Sequence, residues 1–133
     1  MFGDNPPTRE NRLGARWNPP GVPAIYASLA RNTALAEGEH AAAIQPLRPT
    51  VKRTIYKLLV RLGKVLDLSS RSVLLDLGIN EPELANVDHT ACQRTGGAAE
   101  WLEHDGLLVP SARSAGRNLV YSHANNALTQ ILR

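Results

Sequence analysis

The sequence predicts a single domain of the α+β class. A chain of 133 residues with 43% apolar content is long enough for one buried core. Strand-like and helix-like segments follow one another irregularly, without an internal repeat or a low-complexity stretch. That irregular order favours an α+β domain over a regular parallel array of βαβ units.

The first elements are an irregular lead-in, a strand and a helix. Residues 1–13 are polar and rich in Asn, Pro and Arg, so they predict the lead-in. VPAIYASL at 22–29 has the β-branched and aromatic content of a strand, with proline only at its entry. Asn32 or Thr33 can cap the helix that follows, which is expected to extend to Ala43.

The middle of the chain predicts two strands and a short helix. The apolar residues of 51–62 fit either a strand or a helix, but the flanking Pro49 and Gly63 favour a strand. A second short strand is expected over 65–68. One of the two serines that open 69–77 can cap a short helix, and a glycine follows that helix.

The last third predicts a broken helix and two strands. Asp88 can cap a helix over 89–94, and the glycine pair at 96–97 is expected to interrupt it before it resumes over 98–104. Strands are expected over 107–109 and 118–122, with the polar loop 111–117 between them. Residues 124–133 predict a terminal helix or a frayed tail.

Composition argues against several classes of protein. The net charge of +3 and the pI near 9.4 come from scattered basic residues, so no direct nucleic-acid binding is expected. The absence of a long apolar run or a leader-like segment predicts a cytoplasmic protein that does not bind membranes. Cys92 is the single cysteine, so it cannot form an internal disulfide. Its neighbour His89 adds only one further ligand type, so no metal site is expected.

Three side chains near the N-terminus suggest a ligand site. Arg16 stands among glycines and prolines in GARWNPPG and could donate to a diphosphate, or it could be a surface arginine beside a core tryptophan. Tyr26 could stack on a heterocycle, and Glu37 could stabilise a cation at an anomeric carbon. The alternatives are a core tyrosine and a solvated glutamate, and the neighbouring Glu39 and His40 could equally face a cleft.

A fourth candidate lies after the strand at 107–109. Ser111 follows that strand and begins a flexible loop, which is a plausible place for a ligand contact. The chain has no G-x-S-x-G elbow, no P-loop and no G-x-G-x-x-G fingerprint. A serine-hydrolase triad and the common nucleotide-binding loops are therefore not supported.

Four motifs in order resemble the RES-domain family, the toxin component of bacterial toxin–antitoxin pairs. The family pattern runs as Gly-Gly-Arg-Trp-Asn-x-x-Gly, a Tyr-x-Ser strand, a helix close to Ala-Leu-Ala-x-Glu, and a Val-Pro-Ser…Asn-Leu stretch. The matching segments here are GARWNPPG at 14–21, YAS at 26–28, ALAE at 34–37 and LLVPSARSAGRNLV at 107–120. These segments follow one another in the family's order, and the stretch from the first to the last covers most of the chain.

The resemblance implies a fold and an activity for residues 1–133. The fold would be similar to that of ADP-ribosyltransferases, with a central mixed or antiparallel sheet flanked by helices. The activity would be cleavage of the nicotinamide–ribose bond of NAD+ by hydrolysis or phosphorolysis, with NAD+ as substrate and no cofactor. The partner would be a helix-turn-helix antitoxin, with a homo-oligomer inside that complex as a further possibility.

The resemblance also assigns roles to five residues. Arg16 would hold the phosphates, Tyr26 would contact the nicotinamide–ribose end, and Glu37 would stabilise the ribosyl cation, so these three are the expected catalytic residues. Ser111 and Asn118 would join Arg16 and Tyr26 in binding NAD+.

Two other functions stay open at this point. One is transfer of ADP-ribose to a protein, and the other is a weak or inactive RES domain that only binds a partner. The second arises because family members usually begin with a further strand that carries another arginine, whereas only residues 1–13 precede Gly14. A shortened family member is therefore expected.

Overall fold

The structure is a computed structural model that describes residues 10–43, 54–80, 88–122 and 128–132. This part of the chain forms six strands and three helices. In chain order they are β1 (Ile25–Ser28), α1 (Arg31–Ala43), β2 (Lys57–Arg61), β3 (Val65–Asp67), α2 (Arg71–Asp76), α3 (Thr90–Trp101), β4 (Gly106–Pro110), β5 (Arg117–Tyr121) and β6 (Leu128–Leu132).

The strands form a mixed four-stranded sheet and a separate pair. The larger sheet has the order β1-β5-β4-β3. In it β5 runs antiparallel to both β1 and β4, whereas β3 runs parallel to β4. Strands β2 and β6 pair with each other in antiparallel fashion. The prediction of a mixed sheet in an α+β domain is confirmed.

The main core lies where the N-terminal loop, the larger sheet, α2 and α3 meet. Buried apolar side chains from all of these segments pack into one cluster, which excludes water from the sheet face. Its members are Trp17, Ala24, Leu68, Leu74, Ile79, Cys92, Ala99, Leu107, Val109 and Val120. A second cluster contains Ile25 and Tyr121, with Val60 of β2 packed against it. In the described part of the chain, no helix is long and apolar enough to span a membrane.

The predicted break in the third helix is wrong. Helix α3 continues through Gly96 and Gly97 and ends at Trp101, so the predicted helical residues 102–104 lie beyond its end. A Cβ built on Gly96 would lie 1.7 Å from the carbonyl oxygen of Trp17. That glycine therefore permits close packing of the helix on the N-terminal loop, and it does not break the helix.

The predicted end of the chain is also wrong where the structure describes it. Leu128–Leu132 is a strand, and its pairing places Ile131 opposite Leu58 of β2. The backbone of both strands gains its hydrogen bonds from this pairing, which outweighs the weak local preference for a helix. Residues 124–127 of the predicted helix lie outside the described residues.

The other boundaries differ in smaller ways. Helix α1 begins at Arg31, ahead of both predicted caps, so Thr33 lies inside the helix and is buried. Ser70 occupies the cap position of α2 without a side-chain cap bond. In the lead-in, Asn11 forms one antiparallel bridge with Ala24, and residues 1–9 lie outside the described part.

Candidate active site

Glu37 of α1 is held by two polar side chains at one end of the central strands of the larger sheet. Its Oε2 accepts a hydrogen bond of 2.7 Å from the Ser111 hydroxyl and one of 2.6 Å from the Asn118 side-chain amide. Asn118 lies on β5 opposite Val109, and Ser111 follows the end of β4. Antiparallel pairing of β4 and β5 therefore places the two donors side by side.

The Ser111 hydroxyl is oriented by its own loop. Its oxygen accepts bonds from the backbone N–H groups of Arg113 at 3.1 Å and Ser114 at 3.2 Å. The Ser111 N–H donates to the carbonyl of Gly116 at 2.9 Å, which closes the loop. Because two N–H groups occupy the oxygen, its single proton is directed to Glu37. Ser111 is only 8% exposed, so water competes weakly for these bonds.

Asn118 is oriented in the same way from the neighbouring strand. Ser28 of β1 lies directly opposite Asn118, and its hydroxyl donates to the Asn118 side-chain oxygen at 2.7 Å. The nitrogen of that amide is then turned towards Glu37. The carboxylate is thus supported by β1, β4 and β5 together. Its second oxygen, Oε1, accepts no hydrogen bond from any residue that the structure describes.

The loop that carries Arg16 is tied to β1 through Tyr26. The Tyr26 hydroxyl accepts a bond of 3.0 Å from the Trp17 N–H and donates one of 2.5 Å to the side-chain oxygen of Asn18. Asn18 is buried, and its amide nitrogen donates to the carbonyls of Asn11 and Val22. One buried asparagine therefore joins both ends of the loop.

Helix α3 holds the same loop from the other side. The Gln93 side-chain amide donates to the Ala15 carbonyl at 2.8 Å, directly before Arg16. Gly96 lies against the Trp17 carbonyl, directly after it. Gly14 adopts a φ of 99°, a conformation that other residues rarely take. The backbone on both sides of Arg16 is therefore fixed by tertiary contacts.

The charges of the site act on one another. Burial lowers the pKa of Arg16, and the nearby positive charge of Arg113 acts in the same direction. The charge of Glu37 and the phenol of Tyr26 act on Arg16 in the opposite direction, so both lie within its electrostatic range. Burial also raises the pKa of Tyr26 to about 12, although 36% of the residue remains exposed. The phenol therefore stays protonated at neutral pH.

A histidine flanks this group of charges. Burial lowers the pKa of His89, and the positive charge of Arg16 acts in the same direction. The side chain is therefore neutral at pH 7. Within 10–43, 54–80, 88–122 and 128–132, no group of three or more His, Cys, Asp or Glu side chains is arranged to hold a metal ion.

The structure brings the five expected site residues to one side of the larger sheet. Ser111 and Asn118 each donate a hydrogen bond to Glu37. Arg16 lies within electrostatic range of both Glu37 and Tyr26. Of the competing acids on α1, Glu39 is exposed. The chemistry of this arrangement suits a developing positive charge, which a carboxylate with one fixed oxygen and one open oxygen can stabilise.

Four residues that support the candidate site were not predicted from the sequence. Asn18 could have been suspected from its place in the RWN motif, and Ser28 from its place in YAS. Gln93 and Arg113 carry no local signal, because a single polar residue on a helix or in a polar loop is ordinary. Their relevance depends on which segments pack together.

Known proteins share sequence and fold with this chain. The family model described as "RES domain" matches residues 2–132. The NAD(+) phosphorylase MbcT of Mycobacterium tuberculosis is 34% identical in an alignment of 112 residues, with coverage of 79% of this chain and 59% of that protein. MbcT of Mycobacterium bovis matches with the same figures. The chain thus spans less than two thirds of the length of these relatives.

A solved structure shares the fold. It is the crystal structure of the M. tuberculosis MbcT–MbcA toxin–antitoxin complex, which matches with a TM-score of 0.66 and 27% sequence identity. The match covers 91% of this chain and 73% of that chain. The alignment therefore includes almost all of the architecture described above.

Proposed function

Because this chain belongs to the RES domain family, we propose that it cleaves the nicotinamide–ribose bond of NAD+ as the toxin of a toxin–antitoxin pair. The observation that carries the proposal is the Glu37 carboxylate, which Ser111 and Asn118 hold at one oxygen beside Arg16 and Tyr26. The name of the relative MbcT, an NAD(+) phosphorylase, supports the same reaction. NAD+ is then a substrate, and no resident cofactor is needed.

Each side chain has a role in this reaction. Arg16 binds the diphosphate, and the partly exposed ring of Tyr26 contacts the nicotinamide–ribose end. As the bond from the anomeric carbon to the nicotinamide nitrogen breaks, its electron pair leaves with nicotinamide. The ribosyl carbon then carries positive charge, which the Glu37 carboxylate stabilises. Ser111 and Asn118 bind at the NAD+ site and keep Glu37 in place.

Inorganic phosphate is the proposed acceptor. Attack of a phosphate oxygen on the ribosyl carbon forms an ADP-ribose phosphate ester, and attack of water forms ADP-ribose. The name of the relative favours phosphate over water. Activity measured with and without phosphate separates the two acceptors, because only phosphorolysis requires that anion.

The central experiment measures free nicotinamide after incubation of the purified protein with NAD+ and phosphate. We expect Glu37→Gln to lower the rate by at least about a hundredfold, because the neutral amide cannot stabilise the ribosyl cation. Glu39→Gln on the exposed face of α1 is the matched control and should retain the wild-type rate. Equal rates in wild type and Glu37→Gln would exclude the proposed reaction.

The same assay tests the two remaining alternatives. Transfer of ADP-ribose to a protein would leave label from adenine-labelled NAD+ on a protein band after addition of a cell lysate. A domain that only binds a partner would leave NAD+ intact in every arm. Consumption of NAD+ with no labelled protein is the result that the proposal requires.

The partner in this proposal is a helix-turn-helix antitoxin that binds the domain in the cytoplasm. The solved structure of similar fold is a toxin–antitoxin complex, which supports an antitoxin as the partner. Co-expression with the product of a neighbouring gene, followed by size-exclusion chromatography, tests the pairing and also shows whether the complex contains several copies of this chain. The proposal requires co-elution and reduced NAD+ consumption in the complex.

A further inference from the structure

A second guanidinium lies close to the candidate site, on the loop between β4 and β5. Arg113 is half-buried, and its N–H donates to the Ser111 hydroxyl oxygen at 3.1 Å. The same hydroxyl donates to Glu37 at 2.7 Å. The backbone of Arg113 is therefore connected to the Glu37 carboxylate through a single serine.

The Arg113 side chain makes no hydrogen bond and no ion pair with any residue that the structure describes. Its charge nevertheless acts on Arg16, whose pKa it lowers together with burial. The charge of Glu37 acts on Arg16 in the opposite sense. Two guanidiniums therefore lie within electrostatic range of each other in a half-buried place, with the Glu37 carboxylate nearby.

The loop conformation keeps Arg113 beside that place. The Ser114 hydroxyl donates to the Thr33 hydroxyl of α1 at 3.0 Å and accepts a bond of 3.0 Å from the Gly116 N–H. A Cβ on Gly116 would lie 2.0 Å from the Thr33 oxygen, so the loop lies directly against the helix. The loop therefore keeps the start of the Arg113 side chain close to the site, and an anion that binds between the two guanidiniums would be attracted by both charges.

We propose that Arg113 and Arg16 together bind a phosphate group, with Arg113 as the second cation of the anion site. Planar guanidiniums donate in pairs to phosphate oxygens, so two of them suit a phosphate or diphosphate group. This inference rests on the proposed function and deepens it. In that reaction, the phosphate group belongs either to the NAD+ diphosphate or to the inorganic phosphate that attacks the ribosyl carbon.

The experiment measures binding by isothermal titration calorimetry with two separate probes, ADP-ribose and inorganic phosphate. We expect Arg113→Gln to weaken binding of one probe by about tenfold or more, because a charge-assisted hydrogen bond is lost. Arg113→Lys should restore part of the affinity, since it keeps the charge. Arg61→Gln, an exposed site on β2 of the separate two-stranded sheet, makes the same charge change and should bind both probes like wild type.

The pattern of losses identifies the source of the phosphate group. Weaker binding of ADP-ribose alone assigns Arg113 to the NAD+ diphosphate, and weaker binding of phosphate alone assigns it to the attacking anion. Equal affinities in wild type and Arg113→Gln for both probes would overturn the inference, as would a wild type that binds neither. Thermal unfolding of each variant confirms that the fold is retained, and Arg113→Lys gives an independent reading if Arg113→Gln is unstable.

Binding of these probes does not require turnover. If the protein releases nicotinamide but binds both probes equally well with and without Arg113, this inference is overturned and the proposed function still stands. Binding that depends on Arg113 without any nicotinamide release would overturn the proposed function and leave the anion site standing.

Discussion

The carboxylate of Glu37 accepts a hydrogen bond of 2.6 Å from the side-chain amide of Asn118, although 81 positions separate the two residues. Helix α1 supplies the first and strand β5 the second. Because Asn118 is oriented by Ser28 on the next strand, the bond joins the helix to two strands at once. The position of the Glu37 carboxylate therefore depends on the pairing of these two strands.

Removal of that amide should lower activity without unfolding the domain. In Asn118→Ala, Glu37 keeps only the bond from Ser111, so its carboxylate is less firmly oriented towards the substrate. We expect kcat/KM for nicotinamide release to fall by about tenfold. Asn32→Ala, an exposed asparagine on α1, is the control. An Asn118→Ala protein with wild-type kcat/KM would show that this bond has no part in positioning Glu37.

The two neighbouring glycines of α3 should respond to alanine with opposite signs. In Gly96→Ala the new Cβ collides with the backbone carbonyl of Trp17, so we expect a loss of about 1–3 kcal/mol in the free energy of unfolding. In Gly97→Ala the nearest atom is the Cγ of Pro19 at 3.5 Å, an ordinary contact. Alanine is the better helix former, so this change should stabilise by up to about 1 kcal/mol. Urea denaturation measures both, and a similar shift for the two variants would contradict the packing described here.

Loss of the Tyr26 hydroxyl should loosen the N-terminal loop. Tyr26→Phe leaves the Trp17 N–H without its acceptor and the Asn18 side-chain oxygen without its donor. We expect the free energy of unfolding at pH 7 to fall by about 1–3 kcal/mol, measured by urea denaturation. Tyr56→Phe, at an exposed tyrosine, is the control and should have little effect.

The stability advantage of wild type over Tyr26→Phe should depend on pH in a defined direction. The pKa of Tyr26 is raised from 10.0 to about 12 in the folded protein. The folded state therefore retains a proton that the unfolded state loses between these values, and stability falls as pH rises through that window. The advantage should be complete below pH 10 and should shrink towards pH 12. An advantage that stays constant across this range would contradict a buried, hydrogen-bonded phenol.

The contact between Gln93 and the Ala15 carbonyl should affect substrate binding more than the chemical step. Gln93→Ala removes a support of the backbone next to Arg16, whose proposed role is to hold phosphates in ground state and transition state alike. We expect KM for NAD+ to rise by about threefold to tenfold with kcat unchanged. Arg94→Ala, its exposed neighbour on α3, should leave both constants as in wild type. A fall in kcat at constant KM would place Gln93 in the chemical step instead.

Local sequence signals were reliable where one segment decides its own structure. The β-branched and aromatic content around Ile25 predicted a strand that the sheet contains. Local signals were unreliable where contact with a distant segment determines the structure. Glycine usually weakens a helix, but at Gly96 the absence of a Cβ permits close contact between α3 and the backbone of Trp17. Leu128–Leu132 becomes a strand because β2 offers it a partner.

The sequence by itself determined the family, the α+β class, and the residues to be considered for the site, because these depend on motifs and on local pattern. Only the tertiary structure decided that Ser111 and Asn118 hold one oxygen of Glu37, and that Arg113 lies within electrostatic range of Arg16. Hydrogen bonds and Coulomb interactions act over a few ångströms in space. The residues that they join here come from segments that meet only when α1 and the loop after β4 pack together at one end of the central strands.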